Sequence, residues 1–211
     1  MVRKILLGCG VASSVLYVAS DILISWWDPS YSYRDQSFSE LLAPGSPTRP
    51  LVLVLLAIPY GVLATAFGVG VWASASRRGA GRITGGLLVG YALIGAVTGI
   101  FLSAPTRETL EAGEETWRNS LHLPGTAVSV FCILLAMGFG STLLGGRFRY
   151  ISYAAILAIL VFGVLAGVQA GRVAANQPTP WLGIVERGNI YAIMLWVAVL
   201  SIGLLLAQKS E

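Results

Sequence analysis

Six mainly apolar stretches, near 5–27, 50–74, 83–103, 123–145, 150–171 and 188–208, take up most of this 211-residue chain. About 20 such residues carry a helix across a hydrocarbon layer of about 30 Å, where the backbone has to satisfy its own hydrogen bonds. The expected fold is therefore all-α: one polytopic bundle of six transmembrane helices spanning 1–211. No separate soluble domain is expected. A composition 55% hydrophobic and 11% charged agrees. The opening "MVRKILLGCGVASSV" also has the look of a signal peptide, with a faint lipoprotein-type "LLGC". Its apolar run before Cys9 is too short for that, and the hydrophobic stretch continues to Trp27, so an uncleaved first helix is expected.

Basic residues set the orientation. Arg3, Lys4, Arg77, Arg78, Arg82, Arg147, Arg149 and Lys209 gather on one side with Glu211 as the only acid, and nearly all other Asp and Glu fall on the opposite side. By the positive-inside rule both termini are cytoplasmic and the connections after spans one, three and five face outward. The formal charge of +4 is spread thinly along the inner membrane edge, which gives no reason to expect nucleic-acid binding. Cys9 and Cys132 sit inside spans at different depths, so no disulfide is expected. No metal-ligand spacing occurs, and no metal or cofactor is implied.

The inner connections "SASRRGAGR" and "GGRFRY" suit tight helical hairpins. The outer ones are longer and hold most of the polar side chains, and residues 104–121 have the pattern either of a surface-lying lid or of a solvated loop. Gly163, Gly167 and Gly171 form a small-residue stripe along span five; Gly86 with Gly90 and Gly95 with Gly99 make two notches in span three. All are expected to receive neighbouring helices. Pro59 is expected to bend span two.

The feature that apolar spans do not explain is Asp21. It lies about 9 Å before Trp27 at about 1.5 Å per residue, below the interface, on a polar stripe of Ser14, Tyr17, Asp21 and Ser25. An acid facing lipid there would cost a few kcal/mol, so the stripe is expected to face the bundle interior. Candidate partners at the same depth are His122, Thr126 and Ser129 in span four, Gln169 and Arg172 in span five, and Glu186, Arg187, Asn189 and Tyr191 in span six. Each has a plainer reading too: a helix-dipole acid, a lipid-phosphate arginine, a capping histidine. Together they predict an outward-opening polar pocket holding Asp21, Glu40, Arg49, His122, Glu186 and Arg187.

Three segments carry a resemblance: "SSVLYVASDILISWWDPSYSYRDQSFSELLAPGSPTRPL", "LHLPGTAVSVF" and "IVERGNIYAIMLW". They resemble the six-helix membrane family catalogued as domain of unknown function 998, nearly end to end, with Ser-Glu-Leu followed by Gly-Ser-Pro-Thr-Arg-Pro as the most specific part. Ser39, Glu40, Arg49, His122, Glu186 and Arg187 match its motif positions. The resemblance implies a fold and a topology but no chemistry, and the insert "ETLEAGEETWRN" fits it least.

Four classes of function remain open. Binding of a lipid or other amphiphile would use Asp21, Tyr17, Ser39, Glu40, Arg49, His122, Glu186 and Arg187. An enzyme acting on an outer-leaflet lipid would pair His122 as base with Asp21 or Glu40, although no nucleophile elbow or triad signature is present. A structural subunit would use the charges only to lock helices. A transporter needs polar groups through the whole thickness, and the inner half-spans offer few. Membrane lipids are the expected partners, a prokaryotic plasma membrane the expected location, and Trp26, Trp27, Tyr31, Tyr33, Trp117 and Trp181 the expected interfacial belt.

Overall fold

The computed structural model describes residues 1–75, 79–102, 104 and 116–208. Among these there is no strand, and six helices are long and apolar enough to cross a membrane. They are α1 (Val2–Trp27), α3 (Arg49–Ser74), α4 (Ala80–Phe101), α5 (Trp117–Gly140), α6 (Gly146–Ala174) and α7 (Leu182–Ala207). A one-turn helix α2 (Phe38–Leu41) lies in the first long connection. The boundaries follow the apolar pattern within a few residues, with one informative exception. Helix α7 starts six residues earlier than the hydropathy suggests, because the Trp181 amide finds a carboxylate oxygen of Asp35 and the chain can turn into the helix there.

Packing arranges the spans as α6–α7–α1–α3–α4–α5, each against the next, with α5 and α6 closing the ring more lightly. The "turn face" carries the short connections after α3 and α5, and the "loop face" carries the long ones. In the half toward the turn face the centre is solid. Leu7, Phe67, Val71, Ile133, Met137, Trp196 and Leu200 are buried, Phe148 stacks on Trp196 at 5.9 Å, and the Trp196 indole N–H donates to Ser152 Oγ at 2.9 Å.

At Pro59, expected to bend α3, the helix takes a specific local form. Val52–Ala57 just before it is a π-helical stretch. Proline cannot donate to the carbonyl four residues back, which is Leu55. Ser20 of α1 reaches that carbonyl at 3.5 Å. One polar residue of α1 thus compensates a missing donor in α3.

The glycine expectation needs correcting. Around Gly167, Gly171 and Gly86 there is open space where a side chain would start, and of the span-five stripe only Gly163 meets a neighbour, Asn189. In span three the notch of Gly95 and Gly99 does meet neighbours, Ser129 Oγ at 3.4 Å and Leu42 at 3.2 Å, but the closest approaches are elsewhere. A Cβ on Gly85 would collide with the Trp72 backbone, one on Gly68 would lie 2.8 Å from the Val89 amide nitrogen, and one on Gly70 would press on Leu6 and Leu7. Four-residue spacing marks a smooth face, but only bulky neighbours across it make the smoothness necessary. Both cysteines are free thiols.

Candidate functional site

The polar stripe of α1 does face inward, and Asp21 is fully buried. Its carboxylate meets α7 at two points. Arg187 donates from Nε at 2.9 Å to Oδ2 and from NH2 at 2.8 Å to Oδ1, a bidentate pair, and the Tyr191 hydroxyl donates to Oδ2 at 2.6 Å. Ser25, one turn on in α1, donates to Oδ1 at 3.2 Å. A planar guanidinium matching a carboxylate edge to edge is the strong form of such a contact. Because Tyr191 gives its proton to Asp21, Tyr33 is the donor in the 3.0 Å contact between the two phenols.

Arg187 is then used up. NH1 donates to the Tyr33 and Gly183 carbonyls at 3.1 and 3.2 Å, NH2 also reaches Ser25 Oγ and Tyr31 Oη at 3.0 Å, and the Tyr33 ring lies 3.8 Å from the guanidinium carbon. Every N–H of the fork has an acceptor inside the protein. Tyr31 passes the network on by donating to the Gln36 or Ser37 carbonyl at about 3 Å. Burial pushes its phenol well above the ordinary value despite the cation beside it, so it remains a donor. Gly183 is where this cap rests on α7, since any side chain there would run into the Tyr33 and Gln36 carbonyls.

Glu40 and Glu186 secure α2. Glu40 closes a capping box with Ser37, accepting the Ser37 amide at 3.0 Å, and also accepts from Gln36 Nε2 at 3.0 Å. Glu186 accepts the Phe38 amide at 2.5 Å, so two carboxylates sit at the amide end of one short helix. Ser39 shares a 2.9 Å hydroxyl contact with Ser37.

Arg49 and His122 lie in a different cluster. Arg49 donates to the Leu42 carbonyl at 2.6 Å and the Ile100 carbonyl at 3.2 Å, while His122 Nδ1 is 2.6 Å from the Leu102 carbonyl. Both therefore meet main-chain oxygens at the C-terminus of α4, where helical carbonyls lack partners. Among the described residues the hydrogen bond of His122 goes to a main-chain oxygen and not to Asp21 or Glu40. Of the other groups expected at this depth, Ser129 donates to the Tyr91 carbonyl and Gln169 to the Pro180 carbonyl.

Tyr17 stands apart. Its ring packs on Phe38 at 5.4 Å and edge-on to Tyr60 at 5.0 Å, and the Tyr60 hydroxyl meets that of Tyr91 at 3.1 Å. Tyr17, Tyr60, Tyr91, Ile190 and Glu186 all keep partial exposure although their helices pack around one centre. A separate cleft of about 500 Å³ opens on the loop face between residues 34–36 and 176–180, lined by none of the six residues expected to form a pocket.

Reading the residues alone misses Tyr31 and Tyr33, assigned to the interfacial belt but turned inward onto Arg187. It also misses Tyr60 and Tyr91. A signal for the latter pair exists: a phenol in mid-span needs a partner, and these two supply each other. The side chains of Trp26, Trp27, Trp117 and Trp181 are exposed as a belt requires. The middle of the possible lid, residues 105–115, lies outside the described residues; Trp117 to Leu121 form the first turn of α5.

Residues 11–203 match the model of the family described as "Protein of unknown function (DUF998)". That is nearly the whole chain, and it belongs to this family. No curated protein and no solved structure matches it significantly.

Proposed function

We propose that this multi-pass member of the DUF998 family binds a lipid or other amphiphile between the loop-face halves of its helices. Tyr17 and Glu186 turn toward the ligand, and the Asp21–Arg187 pair is the fixed frame around it. One observation carries this reading: Tyr17, Tyr60, Tyr91 and Ile190 pack against the apolar core and yet keep partial exposure in the loop half. Phenols and a carboxylate beside aliphatic side chains suit a molecule with a polar end and an apolar body. The route in is lateral. Among the described residues none of α6 beyond Ile159 is buried, nor any of α5 before Ser129, so these two helices are least sealed against each other toward the loop face.

The saturated fork of Arg187 and the carbonyl-bound Arg49 favour a ligand whose polar end is neutral or cationic, since these arginines are engaged with the protein itself. The loop face is extracytoplasmic and the membrane is a prokaryotic plasma membrane. Arg3, Lys4, Arg82, Arg147 and Arg149 toward the turn face support that orientation, with Asp28, Asp35 and Glu40 opposite.

Native mass spectrometry of protein released from its own membrane tests the proposal. A near-stoichiometric amphiphile should remain bound. Tyr17→Trp and Ile190→Phe, which fill the crevice, should each cut its occupancy at least tenfold while the protein keeps its melting temperature. Absence of any such adduct, or an adduct indifferent to both variants, contradicts the reading.

A further inference from the structure

The loop-face cleft between residues 34–36 and 176–180 is not part of the crevice just discussed, and its chemistry is different. Its lining side chains are of polar type apart from Pro178 and Pro180, while carbon makes up most of the wall that they expose. Arg34 and Asp35 pair at 2.9 Å through Nε and Oδ1, so the wall carries one charge of each sign and no net charge. Among the described residues Arg34 donates only from Nε, which leaves both terminal nitrogens of a 57% exposed side chain directed to solvent. Among the described residues Asp35 Oδ2 receives only the Ser32 hydroxyl, at 3.3 Å. A donor fork and an acceptor edge therefore stand side by side. Beneath Arg34 lies the Trp181 indole, 4.9 Å from the guanidinium carbon and 56% exposed.

The cleft is also held in shape. Thr179, itself buried, donates to the Asp35 carbonyl at 2.9 Å, and the Trp181 amide donates to Asp35 Oδ1 at 3.0 Å. Trp181 adopts φ 68°, a left-handed conformation that a bulky residue takes only when its surroundings impose it. An exposed tryptophan is thus kept at a strained position where glycine would sit without cost.

From these features we infer that the cleft binds a neutral polyhydroxylated group, a sugar. Adjacent ring hydroxyls each donate and accept, which matches the Arg34 fork beside the Asp35 edge. The apolar face of a sugar ring packs on carbon surface, which Pro178 and Pro180 supply in the wall and the Trp181 indole, next to Pro180 and behind Arg34, supplies beside it. A volume of about 500 Å³ accommodates one or two sugar rings. Lack of net charge disfavours a phosphate or ammonium group. The site does not depend on the amphiphile reading: the sugar can be soluble or the head of a lipid in the outer leaflet.

The test uses the full chain in nanodiscs of phosphatidylcholine, avoiding sugar-headed detergents. Saturation-transfer NMR is recorded with maltose, and binding is measured to nanodiscs containing galactosyl-diacylglycerol, with phosphatidylglycerol as the anionic comparison. Saturation of maltose indicates recognition of sugar from either source, while binding of the galactolipid alone indicates a lipid-borne sugar; both support the site. Trp181→Gly removes the indole while relieving the backbone, so it should keep the melting temperature and weaken sugar binding at least tenfold; Arg34→Ala should do the same. No binding of either sugar probe, binding that survives both variants, or preference for phosphatidylglycerol overturns the inference.

Discussion

The two halves of the bundle solve the same problem in different ways. In the turn half, helices meet through glycine contacts and a sealed apolar centre, as at Gly68 and Gly85 between α3 and α4. In the loop half they meet through polar side chains: Asp21 with Arg187 and Tyr191, Glu186 with Phe38, Arg49 and His122 with the end of α4. A packed centre needs no gaps. A polar frame holds helices at a set distance, and Tyr17, Tyr60 and Tyr91 near it remain partly exposed.

Perturbing the frame should have the largest effect. Arg187→Met leaves a buried carboxylate without its cation and should cost about 3–5 kcal/mol in detergent unfolding. Asp21→Leu should fall near the same range. The double variant Asp21→Leu with Arg187→Met should lose less than the two singles summed, since no charge is then stranded. A double loss equal to the sum would show that the pair is not coupled.

Next in size is the glycine contact of the turn half. Gly85→Ala should destabilise by about 1–3 kcal/mol through overpacking against Trp72, while Gly167→Ala, in open space, should leave the melting temperature unchanged. Equal effects at both sites would erase the distinction drawn between these glycines. Smaller again is His122→Ala, which removes one bond to the Leu102 carbonyl and should cost about 1 kcal/mol. A much larger loss would mean that the second polar cluster matters as much as the first.

The smallest effect depends on pH. Arg34, the Trp181 amide and Ser32 hold the Asp35 carboxyl below its usual range. Its folded pKa is lowered, so its stabilising contribution is fully present above about pH 4, the ordinary carboxylate value, and is lost as pH falls through the lowered one. Parent and Asp35→Asn should therefore differ in melting temperature at pH 7 and converge near pH 2. A gap that persists in acid would assign the effect to geometry rather than charge.

Much of this was legible in the residues. Length and hydropathy placed all six helices, and the three- and four-residue spacing of Ser14, Tyr17, Asp21 and Ser25 showed which side of α1 turns inward. A buried acid requires a partner, and α7 supplied one. Depth alone could not say which of several groups at one level would meet. Arg49 and His122 share the depth of Arg187, yet the open carbonyls at the end of α4 hold them apart from Asp21. Nor could spacing show that Tyr31 and Tyr33 fold back over Arg187, because that depends on how the loop closes through Gly183 and Asp35.

The contrast between halves can be measured by cysteine labelling. With Cys9 and Cys132 replaced by alanine, single cysteines are placed by Tyr17→Cys and Ile190→Cys in the loop half and by Val71→Cys and Leu200→Cys in the turn half, then reacted with N-ethylmaleimide in detergent. The two loop-half sites should label at least tenfold faster than the two turn-half sites. Equal protection at all four positions would show a bundle sealed throughout, with no room for a ligand between its helices.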